Sequence, residues 1–551
     1  MTSLANIKKF LKRHKIDACL ISKNNQFLNE ITSQSENFLL KVTNFTGSLG
    51  YALIYQKKQY LYVDGRYHQQ AKIQSKKFII KDIFELKKDL GKFSKNKKKL
   101  LIDPSTFSYN FIKNYKLKNL FFFTLLKNKK RNETISNLSK NFCGEEILKK
   151  IKRVNLKINL KKNESFFITS PENIGWLGNI RILKKKFNKN LNCVAILEKN
   201  KLFIFTDYTI KSKIKNIIFK NQSELEFYLS KYKKVYVDKN YTNLYYINKL
   251  ITKKINIRFI EDPIDHFKSI KNSTEISNIK IAHIFDGIAY IKFLFWLKNN
   301  KLKKINEIDC QNKIEFLKRQ NKFYLGPSFE TIAATEKNAS IIHYNPKDYK
   351  ITYLKKNHLL LFDSGSHYMF GTTDMTRTIS LGQQSFFRKK IYTLVLKSHI
   401  AVATAKVNNS TTGKVIDHLA RKKLLKFGYN YNHGTGHGVG YLSNVHENYP
   451  SLSKMSNNKL YINQVTSNEP GFYKKNDFGI RLENLIFLND DRKFEDLTLV
   501  PFENSMIVRS MLNESEKKWI NNYHDNLYEK IHKFLNDNER KFLRNCCLKI
   551  N

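Results

Sequence analysis

Carboxylates in the C-terminal half of the chain are the residues best suited to chemistry. Asp363 and Asp374 stand eleven positions apart in "LLLFDSGSHYMFGTTDMTRTISLG". Glu469 follows in "NEPGFY" and Glu483 in "GIRLEN". Oxygen ligands of this kind hold hard divalent cations, and an imidazole can complete one site. The residues therefore indicate a candidate site for a pair of cations, although an isolated Asp in a loop more often caps a turn.

A glycine-rich stretch between these carboxylates, "YNHGTGHGVGYLSNVHENYP" at 431–450, contains three histidines. It is not a phosphate-binding loop, because it has no G-K-[ST] and a histidine interrupts the glycines. His433, His437 and His446 are candidates for metal ligation or acid–base work. A lone histidine in such a loop is more often a surface residue, and spacing alone leaves the choice open.

The segments around Asp363 and Asp374 predict strands that would bring these two carboxylates together. An apolar run precedes Asp363, a β-rich run follows Asp374, and turn-forming glycine separates them, which is typical of a hairpin. Paired strands lie about 4.8 Å apart, so the two side chains can meet on one face.

Helices are predicted on either side of this hairpin. Asn272 and Glu275 form a capping-box pattern, followed by apolar residues from Ile276 to Phe295 on one expected helical face. A second helix is expected after Ser385, and a third is expected to end at Gly428.

The length of 551 residues is too great for one hydrophobic core, so about two to four domains are expected. The pattern divides the chain into residues 1–145, 146–268 and 269–551. The first two blocks alternate short helical and strand-like segments in a similar order, which predicts two α/β domains. The third block combines long helices with strand-rich runs, which predicts an α+β domain containing the candidate site.

Composition excludes several classes of protein. A hydrophobic content of 41% is typical of a globular protein. The formal charge of +52 comes from basic residues spread over many segments without a nucleic-acid motif, so specific nucleic-acid binding is not expected. The six cysteines lack C-x₂-C spacing, which argues against a zinc knuckle and a disulfide framework. With no secretory leader and no apolar run of about 18 residues, we expect a soluble cytoplasmic protein without a membrane partner.

Taken in order, these motifs resemble the pita-bread metallopeptidases. "DSGSHYMFGTTDMTRT", "HGTGHGVGYLSNVHE", "NEPGFY" and "GIRLEN" look like the family's five-ligand pattern. "TGSLGYALIY", "LYVDGRYHQQA", "ENIGWLGNIR", "FEDLTLVPF" and "KKWINNYH" are similar to the long, three-domain Xaa-Pro aminopeptidases within that family. The resemblance implies two creatinase-like N-terminal α/β domains, a C-terminal pita-bread catalytic domain with an extension, and a homodimer.

The resemblance also implies a role for each ligand. Asp363 would chelate one metal ion, and Asp374 and Glu483 would bridge both. His437 and Glu469 would complete the other site. Manganese is the usual metal in the family, with zinc or cobalt as alternatives. Two cations about 3.5 Å apart would lower the pKa of a bridging water, so that hydroxide attacks the peptide bond before proline.

Further residues match the family's substrate-contacting set. His343 in "SIIHYNP" and His433 would border the proline pocket. His446 would stabilise the developing oxyanion, and Glu469 would accept and return a proton. Arg66 in "VDGRY" is a candidate for control of the substrate channel, with a salt bridge inside its own domain as the alternative.

Two arginines next to the ligands are ambiguous. Arg481 would orient Glu483, or would form a structural ion pair. Arg377 has the same ambiguity and is left outside the predicted site.

The reaction implied by the resemblance is release of the first residue from peptides with proline in second position. The alternatives are an Xaa-Pro dipeptidase, which shares all five ligands, and a non-catalytic pita-bread binding module, although such modules typically lose ligands.

Overall fold

The computed structural model describes residues 3–124, 133–211 and 213–551. These residues form two compact units. The first unit lies within Met1–Leu138, Glu145–Ile182 and Asn190–Ile264, and the second within Ser139–Gly144, Leu183–Lys189 and Asp265–Asn551. The domain boundaries expected at 145/146 and 268/269 stay a prediction.

The first unit contains two six-stranded sheets with one topology. In each sheet two antiparallel pairings at the centre are flanked by parallel ones, which confirms the predicted similarity of the first two blocks. In spatial order the first sheet runs Ile79–Asp82, Gln59–Val63, Tyr51–Tyr55, Ala18–Ser22, Leu100–Ile102 and Leu120–Phe122. The second sheet runs Ile217–Lys220, Leu202–Phe205, Val194–Leu197, Glu164–Ile168, Lys234–Asp238 and Asn256–Ile260.

Helices cover these sheets, and their apolar stripes supply the cores. Helix Leu4–Arg13 begins after the N-cap Ser3 and buries Ile7 and Leu11, four residues apart on one face. The other helices of this unit are Phe38–Thr43, His68–Gln74, Ile83–Lys95, Tyr109–Asn114, Ile147–Ile158, Pro171–Leu177, Leu225–Leu229 and Leu244–Thr252. Short 3₁₀ turns lie at Pro104–Thr106 and Gln222–Glu224, and Ser136–Asn137 pairs with Ile180–Arg181.

The second unit is α+β, as predicted, and is built from several small antiparallel sheets. Three-stranded sheets are formed by Ile332–Thr335, Leu359–Asp363 and Thr376–Ser380, and by Tyr324–Pro327, Ser366–Tyr368 and Gly371–Thr373. A five-stranded sheet runs Glu447–Leu452, Gly436–Gly438, Val465–Asn468, Asn484–Leu488 and Phe494–Asp496, and Gly471–Lys474 pairs with Phe478–Arg481.

Long helices pack against these sheets. Ser273–Lys298 begins with the predicted capping box between Asn272 and Glu275. The prediction of a single apolar face for this helix is incomplete, because its buried residues include His283 and Asp286 as well as apolar ones. The other helices are Lys140–Cys143, Glu307–Arg319, Phe386–Ala403, Gly413–Leu425, Glu514–Ile531 and Asp537–Cys546, and Pro263–Ser269 contains the boundary between the units. The 3₁₀ turns are Leu302–Lys304, Glu336–Ser340, Pro346–Asp348, Asn504–Met506, Arg509–Met511 and His532–Phe534.

Two helices test the predicted start and end signals. Helix Phe386–Ala403 begins after Ser385 as predicted, with the Ser385 hydroxyl accepting the Arg388 N–H. Helix Gly413–Leu425 ends before Gly428, which has the left-handed φ of +75° expected after a helix end. None of the six cysteines, all of which lie within the described residues, forms a disulfide. Among the described residues, no helix is long and apolar enough to cross a membrane.

Candidate metal centre

The hairpin predicted around Asp363 and Asp374 is present. Leu359–Asp363 pairs antiparallel with Thr376–Ser380, and Asp363 lies opposite Thr376. Because side chains alternate along a strand, Phe362 packs into a hydrophobic cluster with Met375 while Asp363 faces the other side. Asp374 lies between this strand pair and the shorter pair formed by Ser366–Tyr368 and Gly371–Thr373. Both aspartates are buried, with 7% and 4% of their surface exposed.

His437 is fixed by the strand Gly436–Gly438. A β-bulge at His437 and Gly438 interrupts the pairing with Glu447–Leu452, which re-aims the side chain. Glycine is required before His437, because a Cβ on Gly436 would stand 1.9 Å from a main-chain oxygen of the neighbouring strand. The Nδ1 of His437 lies 2.9 Å from the Gly438 carbonyl oxygen, which can only accept, so Nδ1 donates. The neutral ring then carries its lone pair on Nε2, the tautomer that a metal ligand requires.

The predicted ligands converge around this Nε2. It lies 3.6 Å from Asp374 Oδ2 and 3.5 Å from Glu469 Oε1. Ligand atoms of Asp374, His437 and Glu483 all lie within 4.8 Å of one another. Carboxylates gathered at this distance repel one another unless cations lie between them.

Glu483 and Asp363 both lie close to Arg481, the last residue of the strand Phe478–Arg481. Glu483 Oε2 accepts a 2.7 Å hydrogen bond from the Thr376 hydroxyl, which itself accepts from Arg481 Nε at 3.1 Å. Arg481 Nη2 donates to Asp363 Oδ2 at 2.6 Å. Arg481 thus forms the ion pair expected as its structural alternative, with Asp363 rather than Glu483. Asp363 Oδ1 is buried without a hydrogen-bond partner among the described residues, which fits an oxygen reserved for a cation.

Burial and crowding raise the proton affinity of these carboxylates. Burial, and then repulsion from Glu483 and Asp363, raises the pKa of Asp374 well above its usual value. Burial, and then repulsion from Glu469, does the same to the pKa of Glu483. Burial raises the pKa of Glu469 to about 7, although the Arg481 guanidinium opposes the change. Such a cluster favours any cation that can replace the protons.

The structure adds a residue that the sequence did not single out. Tyr473 OH lies 2.9 Å from His433 Nε2 and accepts from Arg481 Nη1 at 2.8 Å. His433 Nδ1 faces the Gly434 carbonyl at 2.7 Å, so Nδ1 donates and the Tyr473 hydroxyl donates to Nε2. Tyr473 and Thr376 both lie inside the quoted motifs "NEPGFY" and "DMTRT", but only the fold shows that they contact Arg481.

The other residues predicted for the site are three histidines and an arginine. His446 is half-buried, and its ring is 4.4 Å from that of His437, nearly perpendicular. His433 Nδ1 is 3.9 Å from Glu469 Oε2. His343 is half-buried in the turn after Glu336–Ser340, and its role stays a prediction. In the first unit, Arg66 donates to both oxygens of Asp64 at 3.0 and 2.7 Å, the salt bridge expected as its alternative role.

Comparison with known families agrees with this geometry. The model of metallopeptidase family M24 matches residues 277–490, and that of its C-terminal region matches residues 492–550. Two models of the creatinase/prolidase N-terminal domain match residues 4–124 and 126–275. These matches confirm the predicted resemblance to the M24 metallopeptidases over residues 277–490. The predicted order of two creatinase-like domains and a pita-bread domain is therefore confirmed.

Relatives cover nearly the whole chain. A probable Xaa-Pro aminopeptidase P of Laccaria bicolor is 29% identical over 99% of this chain and 92% of its own. One of Ajellomyces capsulatus is 28% identical over 97% of this chain and 96% of its own. A solved X-prolyl aminopeptidase of Caenorhabditis elegans, described as a cytosolic enzyme with a di-nuclear active site, is 25% identical with a TM-score of 0.89 over 99% of both chains. A prolidase of Thermococcus sibiricus, 23% identical with a TM-score of 0.52 over 65% of this chain and 98% of its own, shares the fold.

Proposed function

We propose that this protein is a metal-dependent aminopeptidase that releases the first residue from peptides with proline in second position. The observation that carries the proposal is the convergence of Asp374, His437 and Glu483, whose ligand atoms lie within 4.8 Å of one another. Glu469 and Asp363 extend that cluster through His437 and Arg481. The relatives named Xaa-Pro aminopeptidase support the choice of substrate.

The ligand set fits two divalent cations. Asp363 would bind one cation, Asp374 and Glu483 would bridge both, and the other cation would take His437 and Glu469. When bound, such a pair lowers the pKa of a water and polarises the scissile carbonyl. We propose manganese because the resemblance to the Xaa-Pro aminopeptidases implies it; the donor types alone do not choose between manganese, zinc and cobalt.

The surrounding side chains would handle protons and position the substrate. Glu469, next to His437 in the same cluster, would accept and return a proton as a carboxylate beside the reacting water. His446, beside His437, would hold the carbonyl oxygen as charge develops there. His433 is oriented by the Tyr473 hydroxyl and would border the proline ring together with His343.

Three further features belong to the proposal. Proline forms a tertiary amide with fixed φ, so the pocket must accept a rigid ring that general aminopeptidases accommodate poorly. We propose a cytoplasmic homodimer, in keeping with the cytosolic relative from Caenorhabditis elegans. Arg66 is proposed to influence access of the substrate, beyond its ion pair with Asp64.

The test compares four peptides with the metal-loaded protein. These are a tripeptide Xaa-Pro-Yaa, its N-acetylated form, the matching Xaa-Ala-Yaa and the dipeptide Xaa-Pro. We expect release of the first residue from the free tripeptide only, with Asp363→Asn folded and inactive. Cleavage of the dipeptide alone would favour the dipeptidase, and the absence of any cleavage by metal-loaded protein would favour a binding module.

A further inference from the structure

Arg377 is buried, and hydrogen bonds engage every nitrogen of its guanidinium. Its side chain is 2% exposed, and its guanidinium contacts six acceptors, all of them neutral. The Phe502 ring lies 4.3 Å from its central carbon. The bonds run from Nε to Pro501 O at 3.1 Å, from Nη1 to Thr376 O at 2.9 Å and Glu483 O at 2.6 Å, and from Nη2 to Asn484 Oδ1 at 2.7 Å, Val500 O at 2.7 Å and Tyr523 OH at 3.0 Å.

The two hydrogen bonds from Arg377 Nη1 hold the main chain around Glu483. Arg377 Nη1 joins the carbonyl oxygens of Thr376 and Glu483, and the Glu483 N–H donates to the same Thr376 oxygen at 3.0 Å. The Thr376 hydroxyl donates to the Glu483 carboxylate at 2.7 Å. Main chain and carboxylate of Glu483 are therefore both fixed, and a carboxylate that must bridge two cations tolerates little displacement.

The hydrogen bonds to Val500, Pro501 and Tyr523 connect Arg377 to the C-terminal region. Tyr523 lies on the helix Glu514–Ile531 and is 5% exposed. Its hydroxyl lies 2.9 Å from Thr498 O and 2.8 Å from Val500 O, and it accepts the Val500 N–H at 3.2 Å. The helix and the segment Thr498–Pro501 thus meet on the guanidinium that also holds Glu483.

We propose that Arg377 is a positioning residue of the metal centre, through which Tyr523 of the C-terminal helix sets the place of Glu483. This inference rests on the proposed function, because it takes Glu483 to be a metal ligand. Lysine cannot replace the arginine, since an ammonium has three N–H donors in a tetrahedral arrangement and the guanidinium has five in a plane. At least three of the six buried acceptors would then lose the hydrogen bond from residue 377.

The test measures metal binding in Arg377→Lys and Tyr523→Phe. Tyr392→Phe is the matched control, because the Tyr392 hydroxyl is also buried and accepts a main-chain N–H at 2.8 Å, from Glu503. Mn²⁺ affinity and stoichiometry are measured by competition with a chelator, and the coupling between two bound Mn²⁺ ions by electron paramagnetic resonance. Thermal unfolding of each metal-free variant reports its stability.

We expect both Tyr523→Phe and Tyr392→Phe to fold with some loss of stability, while only Tyr523→Phe lowers Mn²⁺ affinity, by about 10-fold. Arg377→Lys should lower it by about 100-fold and alter the coupled signal; if it does not fold, Tyr523→Phe decides. Wild-type affinity and signal in folded Tyr523→Phe, or equal losses of affinity in Tyr392→Phe, would overturn the inference. Wild-type protein that binds no Mn²⁺ would overturn the proposed function and this inference with it.

Discussion

Removal of the metal ions should make the free energy of unfolding fall as the pH rises from about 5 to about 8. Burial raises the pKa of Glu469 from 4.5 to about 7, so the folded chain holds this proton more tightly than the unfolded chain. The resulting stabilisation is complete below pH 4.5 and is lost as the pH rises through about 7. One pKa unit corresponds to about 1.4 kcal/mol, so Glu469 alone contributes about 3 kcal/mol. Its 19% side-chain exposure makes this an upper figure.

The raised pKa values of Asp374 and Glu483 act in the same direction. Bound cations should abolish the loss, because they compensate the ionised carboxylates.

Denaturant unfolding of chelator-treated protein across this pH range is the assay. Glu469→Gln is the matched control, because it keeps the shape of the side chain and removes its titration. Other groups titrate in both proteins, so the informative quantity is the difference between their free energies of unfolding. From about pH 5 to about pH 8, the free energy of unfolding of metal-free Glu469→Gln should rise by about 3 kcal/mol relative to that of metal-free wild type. A difference that stays constant with pH would refute the reasoning.

Three further changes have defined outcomes. Asp374→Asn should lower both Mn²⁺ affinity and turnover by more than about 100-fold, because loss of a ligand costs more than loss of a residue that only contacts a ligand. Metal analysis and peptide hydrolysis measure the two effects. Lys271→Met should lower the free energy of unfolding by about 3–5 kcal/mol, because it breaks a buried 2.5 Å ion pair with Glu447. Lys271→Arg keeps the charge and should lower the free energy of unfolding less. Equal losses in the two variants would contradict this reasoning. Gly436→Ala should impair folding and turnover, because its Cβ would stand 1.9 Å from a carbonyl oxygen, and Gly91→Ala, with nothing within 4 Å, should not.

Local signals in the sequence predicted much of the frame of the site. The apolar run before Asp363 and the glycine after it predict the hairpin, since both signals act within a few residues. The capping box of Asn272 and Glu275 is equally local, and it forms as predicted.

Contacts between distant segments could not be predicted in this way. Asp363 and Arg481 are 118 positions apart, and nothing in the periodicity of either segment indicates their ion pair. One acceptor of Arg377 belongs to the adjacent Thr376, and the other five lie more than 100 positions later, so its role depends on the completed fold. The buried Asp286 inside an apolar helix has the same explanation, because its partner Lys318 lies on another helix.

Anomalous X-ray scattering from crystals of the Mn²⁺-loaded protein is the most direct test of the metal centre. We expect two manganese peaks per chain among Asp363, Asp374, His437, Glu469 and Glu483, with Asp374 and Glu483 in contact with both. A single peak away from these side chains, or hydrolysis of Xaa-Pro peptides by protein without any peak there, would contradict it.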